Sequence, residues 1–171
     1  MCPNDGTPLG ATDLELVRKD PLIGTLLGDY QVEECIGVGA MGVVYRAVQP
    51  MIGKRVAVKV LRGDVARTAA EMQRLLAEAR TVNNIGHRGV IDIFGFGQTP
   101  DGRQYFLMEH LNGQPLDRLI AERAPLPIPE AIAILDELLD ALGAIHQAGV
   151  IHRDLKPSNI LVVAQRGRPA F

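Results

Sequence analysis

The chain has 171 residues and a mass of 18.5 kDa, enough for one domain with a short extension. Its 18 basic and 20 acidic side chains give a formal charge of −2, which excludes the large positive field of a nucleic-acid binder. With 47% apolar and 22% charged residues it has the balance of a globular protein, and no apolar run is long enough to form a membrane segment.

Residues 1–29 read as a leader, expected to be flexible. Pro3, Gly6, Pro8 and Gly10 punctuate it, and its polar start is not that of a signal peptide. Cys2-Pro3-Asn4-Asp5-Gly6 has the look of half a zinc knuckle, but no second Cys or His pair follows it, so a frayed tail is the simpler reading. Cys2 and Cys35 outline no disulfide framework, which points to a reducing, cytoplasmic setting.

From Tyr30 the texture changes. Tyr30-Gln31-Val32-Glu33 alternates like a strand, and a glycine-rich turn follows at Gly37-Val38-Gly39-Ala40-Met41-Gly42. Residues 43–48 and 55–61 predict two further strands, so three strands form an antiparallel meander. Ala70, Leu75, Ala79 and Val82 recur at helical spacing and predict a helix over residues 67–85. Residues 90–96 and 104–108 predict two more strands around the turn Thr99-Pro100-Asp101-Gly102.

Asn112-Gly113-Gln114-Pro115 breaks the pattern, and residues 116–123 predict a short helix. A long helix is expected over 130–147, apolar on most of its circumference apart from a stripe of Asp136, Glu137, Asp140 and Gln147. Such a helix wants burial, so the isolated chain is expected to be poorly soluble or to lean on a partner. His152-Arg153-Asp154 reads as a polar loop, residues 160–163 as a strand and Arg166-Gly167-Arg168-Pro169 as a turn.

The glycine turn admits several readings. A dinucleotide-binding turn must open a helix, and here a strand follows. A Walker loop needs Gly-Lys-Ser/Thr, but Gly53-Lys54 is followed by Arg55. A plain hairpin turn is the simplest alternative. Lys59 weighs against it. In Val56-Ala57-Val58-Lys59-Val60, alternation sends Ala57 and Lys59 to one face and the three valines to the other. Val44 and Ala57 could then meet a flat ring while Lys59 reaches its phosphates. A lysine snorkelling from a strand edge is the bland alternative. An acid on the helix would hold the ammonium in place; Glu78 is the favoured partner and Glu71 the competitor.

His152-Arg153-Asp154-Leu155-Lys156-Pro157-Ser158-Asn159 is the most specific segment. Asp154 can accept a proton from an attacking hydroxyl, Lys156 can neutralise charge on a transferring phosphoryl group, and Asn159 offers a hard oxygen to Mg²⁺. A solvated loop after a helix is the alternative.

These motifs, in this order, resemble the Hanks-type serine/threonine protein kinases, especially the bacterial branch, from about Tyr30 to the end of the chain. The resemblance implies an α+β fold: a five-stranded antiparallel N-lobe over residues 30–111 with its helix αC, then a partial C-lobe over residues 112–171 with its first helices and catalytic loop. It implies that Lys59 holds the nucleotide phosphates and Glu78 is its partner. It makes Asp154 the catalytic base, Lys156 the phosphate-steering lysine and Asn159 a Mg²⁺ ligand. Ile36, Gly37, Gly39, Gly42, Val44, Ala57 and Leu161 would line the nucleotide, with Met108 as gatekeeper and Glu109 and Leu111 at the hinge. ATP and Mg²⁺ would be the cofactors, and a protein Ser or Thr the acceptor.

The match departs from the family after Asn159. No Asp-Phe-Gly follows, and residues 160–171 contain no Asp or Glu. The chain therefore reads as a kinase fragment truncated before that motif, with half of its metal site. A nucleotide-binding or interaction module without turnover is the alternative reading.

Overall fold

A computed structural model of the chain describes residues 20–39, 41–63, 69–165 and 168–170. Two compact units divide it, one holding residues up to 76 together with 93–110, the other holding 77–92 and everything from 111 onward.

The first unit is a six-stranded antiparallel sheet. Its strands are β1 (Leu26–Leu27), β2 (Tyr30–Gly39), β3 (Gly42–Gln49), β4 (Lys54–Leu61), β5 (Ile93–Gln98) and β6 (Gln104–Glu109). They lie in the order β1-β2-β3-β4-β6-β5. Only the β4–β6 pairing skips the chain order, because α1 (Ala69–Asn83) and β5 intervene. One face of β4 carries Val56, Val58 and Val60, all buried, in a cluster with Val32, Tyr45, Ala47 and Tyr105. Branched side chains suit the pleated surface, and period-2 alternation keeps all three on the core side.

Residues 20–29 correct the expected leader. Leu22 and Leu27 lie in the core, and β1 pairs Leu26 with Gln31 and Leu27 with Tyr30. Asp20 holds the segment down: its carboxylate accepts from the Leu22 amide at 3.0 Å and from the Tyr45 hydroxyl. Burial, reinforced by that carboxylate, pushes the Tyr45 phenol well above its ordinary value. Two leucines five residues apart carry no readable period, so this docking is a tertiary event. Residues 1–19, including the knuckle-like start, lie outside the described residues.

The second unit contains α2 (Leu116–Arg123), α3 (Ile128–Gln147) and a three-stranded sheet of β7 (Gly113–Pro115), β8 (Leu161–Gln165) and β9 (Arg168–Ala170) in the order β7-β8-β9. Its core is Leu116, Leu119, Ile134 and Ile160, with Leu126, Leu138 and Val162 packed around them. Pro127 precedes α3 and Pro129 sits in its first turn, where a missing N–H costs nothing. Gly149, at φ 74°, takes the left-handed step just past its end. Arg123 joins the two helices with a paired hydrogen bond to both Glu130 carboxylate oxygens, each 2.8 Å. Two expectations change here. Residues 113–115 form an edge strand of this sheet, and Arg168–Ala170 is a strand paired with β8, where a turn was expected; residues 166 and 167 lie outside the described residues.

The connection from α1 to β5 is fastened to α3. His87 Nε2 lies 3.1 Å from Asp140 Oδ2, Arg88 forks onto both Glu137 oxygens, and a Cβ on Gly89 would come within 2.9 Å of Ala141 Cβ. Val90, expected to open a strand, is instead tied to the His87 carbonyl, and β5 begins three residues later.

The long helix shows the expected surplus of apolar surface. Among its residues Ile128, Ile132, Leu135 and Leu139 are 54–75% exposed and recur along one side. Substituting Ile132→Lys, Leu135→Glu and Leu139→Lys together is expected to raise the concentration at which the chain stays monomeric in light scattering. Each change should alter stability by no more than about 0.5 kcal/mol, as for surface positions generally. In the core, Val58→Ala is expected to cost about 2 kcal/mol in urea unfolding, since it opens a void where exposure is 0%.

Candidate functional site

The residues singled out from the sequence fall into two groups, one in each unit. In the first unit, β2 and β3 form the glycine hairpin, with Gly37 opposite Val44 and Gly39 opposite Gly42. On β4, Lys59 sits between Val44 of β3 and Phe106 of β6, while Ala57 sits between Arg46 and Met108. Partners directly opposite point to the same face, so Val44, Ala57, Lys59 and Met108 share the side of the sheet turned away from the valine core. Lys59 is half-buried there, whereas Ile36 is exposed near the start of the hairpin. Glu109 ends β6, opposite Val56 of β4.

The glycines of the hairpin do different work. A Cβ on Gly42 would stand 2.0 Å from the Val60 carbonyl oxygen of β4, so the sheet itself demands glycine there. A Cβ on Gly37 would meet nothing closer than Val44 Cβ at 3.8 Å, an ordinary contact. Gly42→Ala is therefore expected to cost about 2–3 kcal/mol in urea unfolding, the usual penalty for overpacking.

The second group lies on the loop between α3 and β8. A turn at Arg153 opens it, closed by the Asp154 amide donating to the His152 carbonyl at 2.8 Å. Arg153 has φ 62°, a left-handed conformation that a non-glycine residue adopts at a cost of about 1–3 kcal/mol. Nothing in the residue types announces this strain. A 3₁₀ turn over Pro157–Asn159 then brings Asn159 back beneath Asp154. Asn159 Nδ2 donates to the Asp154 carbonyl at 2.8 Å and to its Oδ2 at 2.9 Å, and Lys156 Nζ lies 3.0 Å from the same Oδ2. Two polar side chains within six residues thus converge on one carboxylate oxygen. The amide oxygen of Asn159 is the end turned away from the aspartate.

Asp154 is exposed, yet Lys156, then Asn159, hold its carboxyl below the ordinary value of 3.8. It is ionised throughout the neutral range. Lys156→Met and Asn159→Ala are each expected to move the Asp154 titration upward, as read from its side-chain carboxyl resonance in an acid NMR titration.

The loop is anchored at its C-terminal end. The Leu116 amide donates to the Ile160 carbonyl at 2.9 Å, and Leu161 pairs with Pro115 across the β7–β8 ladder. Here too a glycine is dictated by backbone, since a Cβ on Gly113 would stand 2.4 Å from the Val162 carbonyl oxygen. Leu111 belongs to this second unit, so Glu109 and Leu111, expected to share a hinge, fall on either side of the division. The Glu78 side chain lies outside the described residues. No three His, Cys, Asp or Glu side chains among the described residues cluster as a metal site, and none of their helices is long and apolar enough to cross a membrane.

A glycine hairpin, a strand lysine and then an aspartate loop braced by lysine and asparagine follow one another in the order found in protein kinase sequences. The comparisons agree. The family model for the protein kinase domain matches residues 30–168. The chain belongs to the protein kinase family, and it is similar to several bacterial serine/threonine kinases. It is 41% identical over 153 residues to the serine/threonine-protein kinase Pkn1 of Myxococcus xanthus, covering 90% of this chain and 22% of that one. It is 37% identical over 147 residues to PknA of Mycobacterium tuberculosis, covering 83% and 34% respectively. Among solved structures, the kinase domain of Mycobacterium tuberculosis PknI matches with a TM-score of 0.72 and 28% identity, covering 86% of this chain and 60% of that one. The chain thus spans between about a fifth and a third of the length of these two curated relatives.

Proposed function

We propose that this chain carries the nucleotide-holding sheet and catalytic loop of a cytoplasmic serine/threonine kinase, moving the γ-phosphoryl group of ATP to a protein Ser or Thr hydroxyl. The observation that carries this reading is the convergence of Lys156 and Asn159 on Oδ2 of Asp154.

The chemistry follows from those groups. Phosphoryl transfer asks little covalent work of the protein and much positioning. An ionised Asp154 accepts a hydrogen bond from the acceptor hydroxyl, aims its oxygen at the γ-phosphorus and takes up its proton. Lys156 supplies a positive charge beside it, so negative charge growing on the transferred oxygens is balanced. Because Asn159 and Lys156 both grip Oδ2, Oδ1 is the oxygen left for the substrate. In the other unit, Val44 and Ala57 offer an apolar surface to adenine, with Ile36 and Met108 at its margins. Lys59 reaches the phosphates from the same face, with Glu78 as its family-implied partner, and Gly37 and Gly39 let backbone approach them closely. Glu109, Leu111 and Leu161 complete the family's list of nucleotide contacts.

The family uses a divalent metal. The amide oxygen of Asn159 is a hard donor suited to Mg²⁺, and Asn159 would be the residue that helps to hold it. When bound, the ion would supply further charge neutralisation at the phosphates.

The test is transfer of labelled γ-phosphate to a generic Ser/Thr-containing protein, alongside calorimetric titration with ATP. Asp154→Asn is expected to leave ATP affinity within about twofold while lowering transfer by about 10³-fold, within the range for loss of a general base. Lys59→Met is expected to weaken ATP binding by about tenfold or more, the loss of one charge-assisted contact. ATP binding with no transfer from the parent chain would leave a nucleotide-binding module without turnover. No ATP binding at all would overturn the proposal.

A further inference from the structure

A second basic site lies outside the groups just described. The end of β4 and the turn between β5 and β6 enclose a cavity of about 150 Å³, lined by Leu61, Arg62, Gly63, Asp101, Arg103 and Gln104 among others. Its scale suits a phosphate-sized group with a few waters, and it is too small for a nucleoside.

The two arginines are presented differently. Arg103 is pre-set: its Nε and one terminal nitrogen both reach Asp101 Oδ2, at 2.8 and 2.7 Å. The Thr99 hydroxyl lies between the other oxygen of that carboxylate and the Arg103 carbonyl, which fixes the turn. Arg103, then Thr99, holds the Asp101 carboxyl down at about 2, so it is ionised and offsets one positive charge. Arg62 is exposed, and its backbone is tied to the tip of the glycine hairpin through its amide and the Met41 carbonyl at 3.0 Å. The lining itself carries two arginines against one aspartate, and Asp20, outside the lining, also attracts Arg103.

We propose that this cavity binds a phosphate group through Arg62 and Arg103, the ligand being inorganic phosphate or the phosphoryl group of a modified Ser or Thr side chain. A planar carboxylate is satisfied by one guanidinium fork. Two guanidiniums on separate elements suit a tetrahedral group with three acceptor oxygens and close to two negative charges. Binding here needs neither turnover nor ATP, so the site stands or falls apart from the kinase reading.

Calorimetric titration of the full chain with inorganic phosphate, and anisotropy titration with a labelled phosphothreonine peptide and its unphosphorylated twin, test this. Arg62→Ala, at an exposed position, is expected to weaken binding about tenfold. Asp101→Asn removes the opposing charge and releases Arg103, so it should tighten binding several-fold, the opposite of what a merely structural role would give. Phosphate binding without phosphopeptide binding assigns the free ion as ligand, and preference for the phosphopeptide over its twin assigns the modified side chain. Absence of both, equal binding of the twin peptide, displacement by ATP, or indifference to Arg62→Ala would overturn the proposal.

Discussion

The bond from the Asn159 amide to Asp154 Oδ2 is the constraint on which the functional reading depends. Asp154 is exposed, and a carboxylate in water has no preferred aim. Burial cannot provide one here, because the neighbouring positions on this loop are almost all exposed as well. Orientation must come from bonds, and the loop provides them within a span of six residues: Asn159 grips both the carbonyl and the carboxylate of Asp154, and Lys156 adds charge to the same oxygen. The left-handed turn at Arg153 is the local cost of that arrangement. It is offset by fastening the C-terminal flank of the loop, since β8 pairs with β7 and Ile160 is buried against α2 residues. Strain held in place by surrounding order is the usual condition of a working site.

The sheet meets a different demand with one strand. β4 must fill a core and present an ammonium, and period-2 alternation lets it do both. Three valines carry the first task at almost no exposure, and Ala57 and Lys59 are left to the second. A helix could not divide its labour so sharply over five residues, because its faces turn by 100° per residue and not 180°.

The legible parts of the chain were those where local pattern and tertiary outcome agree. The β2–β3–β4 meander, the short helix over Leu116–Arg123 and the long apolar helix could be read directly, because alternation and helical period extend over several residues. The order of motifs pointed to the family. The rest failed for physical reasons. Leu22 and Leu27 join the core from a segment whose composition says tail, since two leucines set no period. Gly113-Gln114-Pro115 reads as a breaker but serves as an edge strand, where proline does no harm and a glycine is needed to clear the neighbouring carbonyl. The strain at Arg153 and the clasp of His87 and Arg88 on α3 depend on partners 50 residues away or on backbone angles, and neither leaves a trace in residue type. In the candidate site, the residue types of the loop stand in the sequence, but the bonds that join Asp154, Lys156 and Asn159 could not be read from their spacing.

Gly42 has a consequence for how sequences of this kind are compared. Its place is reserved by the carbonyl of Val60, whatever happens to the nucleotide. A descendant that had lost all chemistry would still be obliged to keep it, as a mason keeps a keystone after the door beneath has been walled up. Survival of that glycine therefore testifies to an intact sheet and says little about a living enzyme. Gly37, where a methyl group has room, is the better witness.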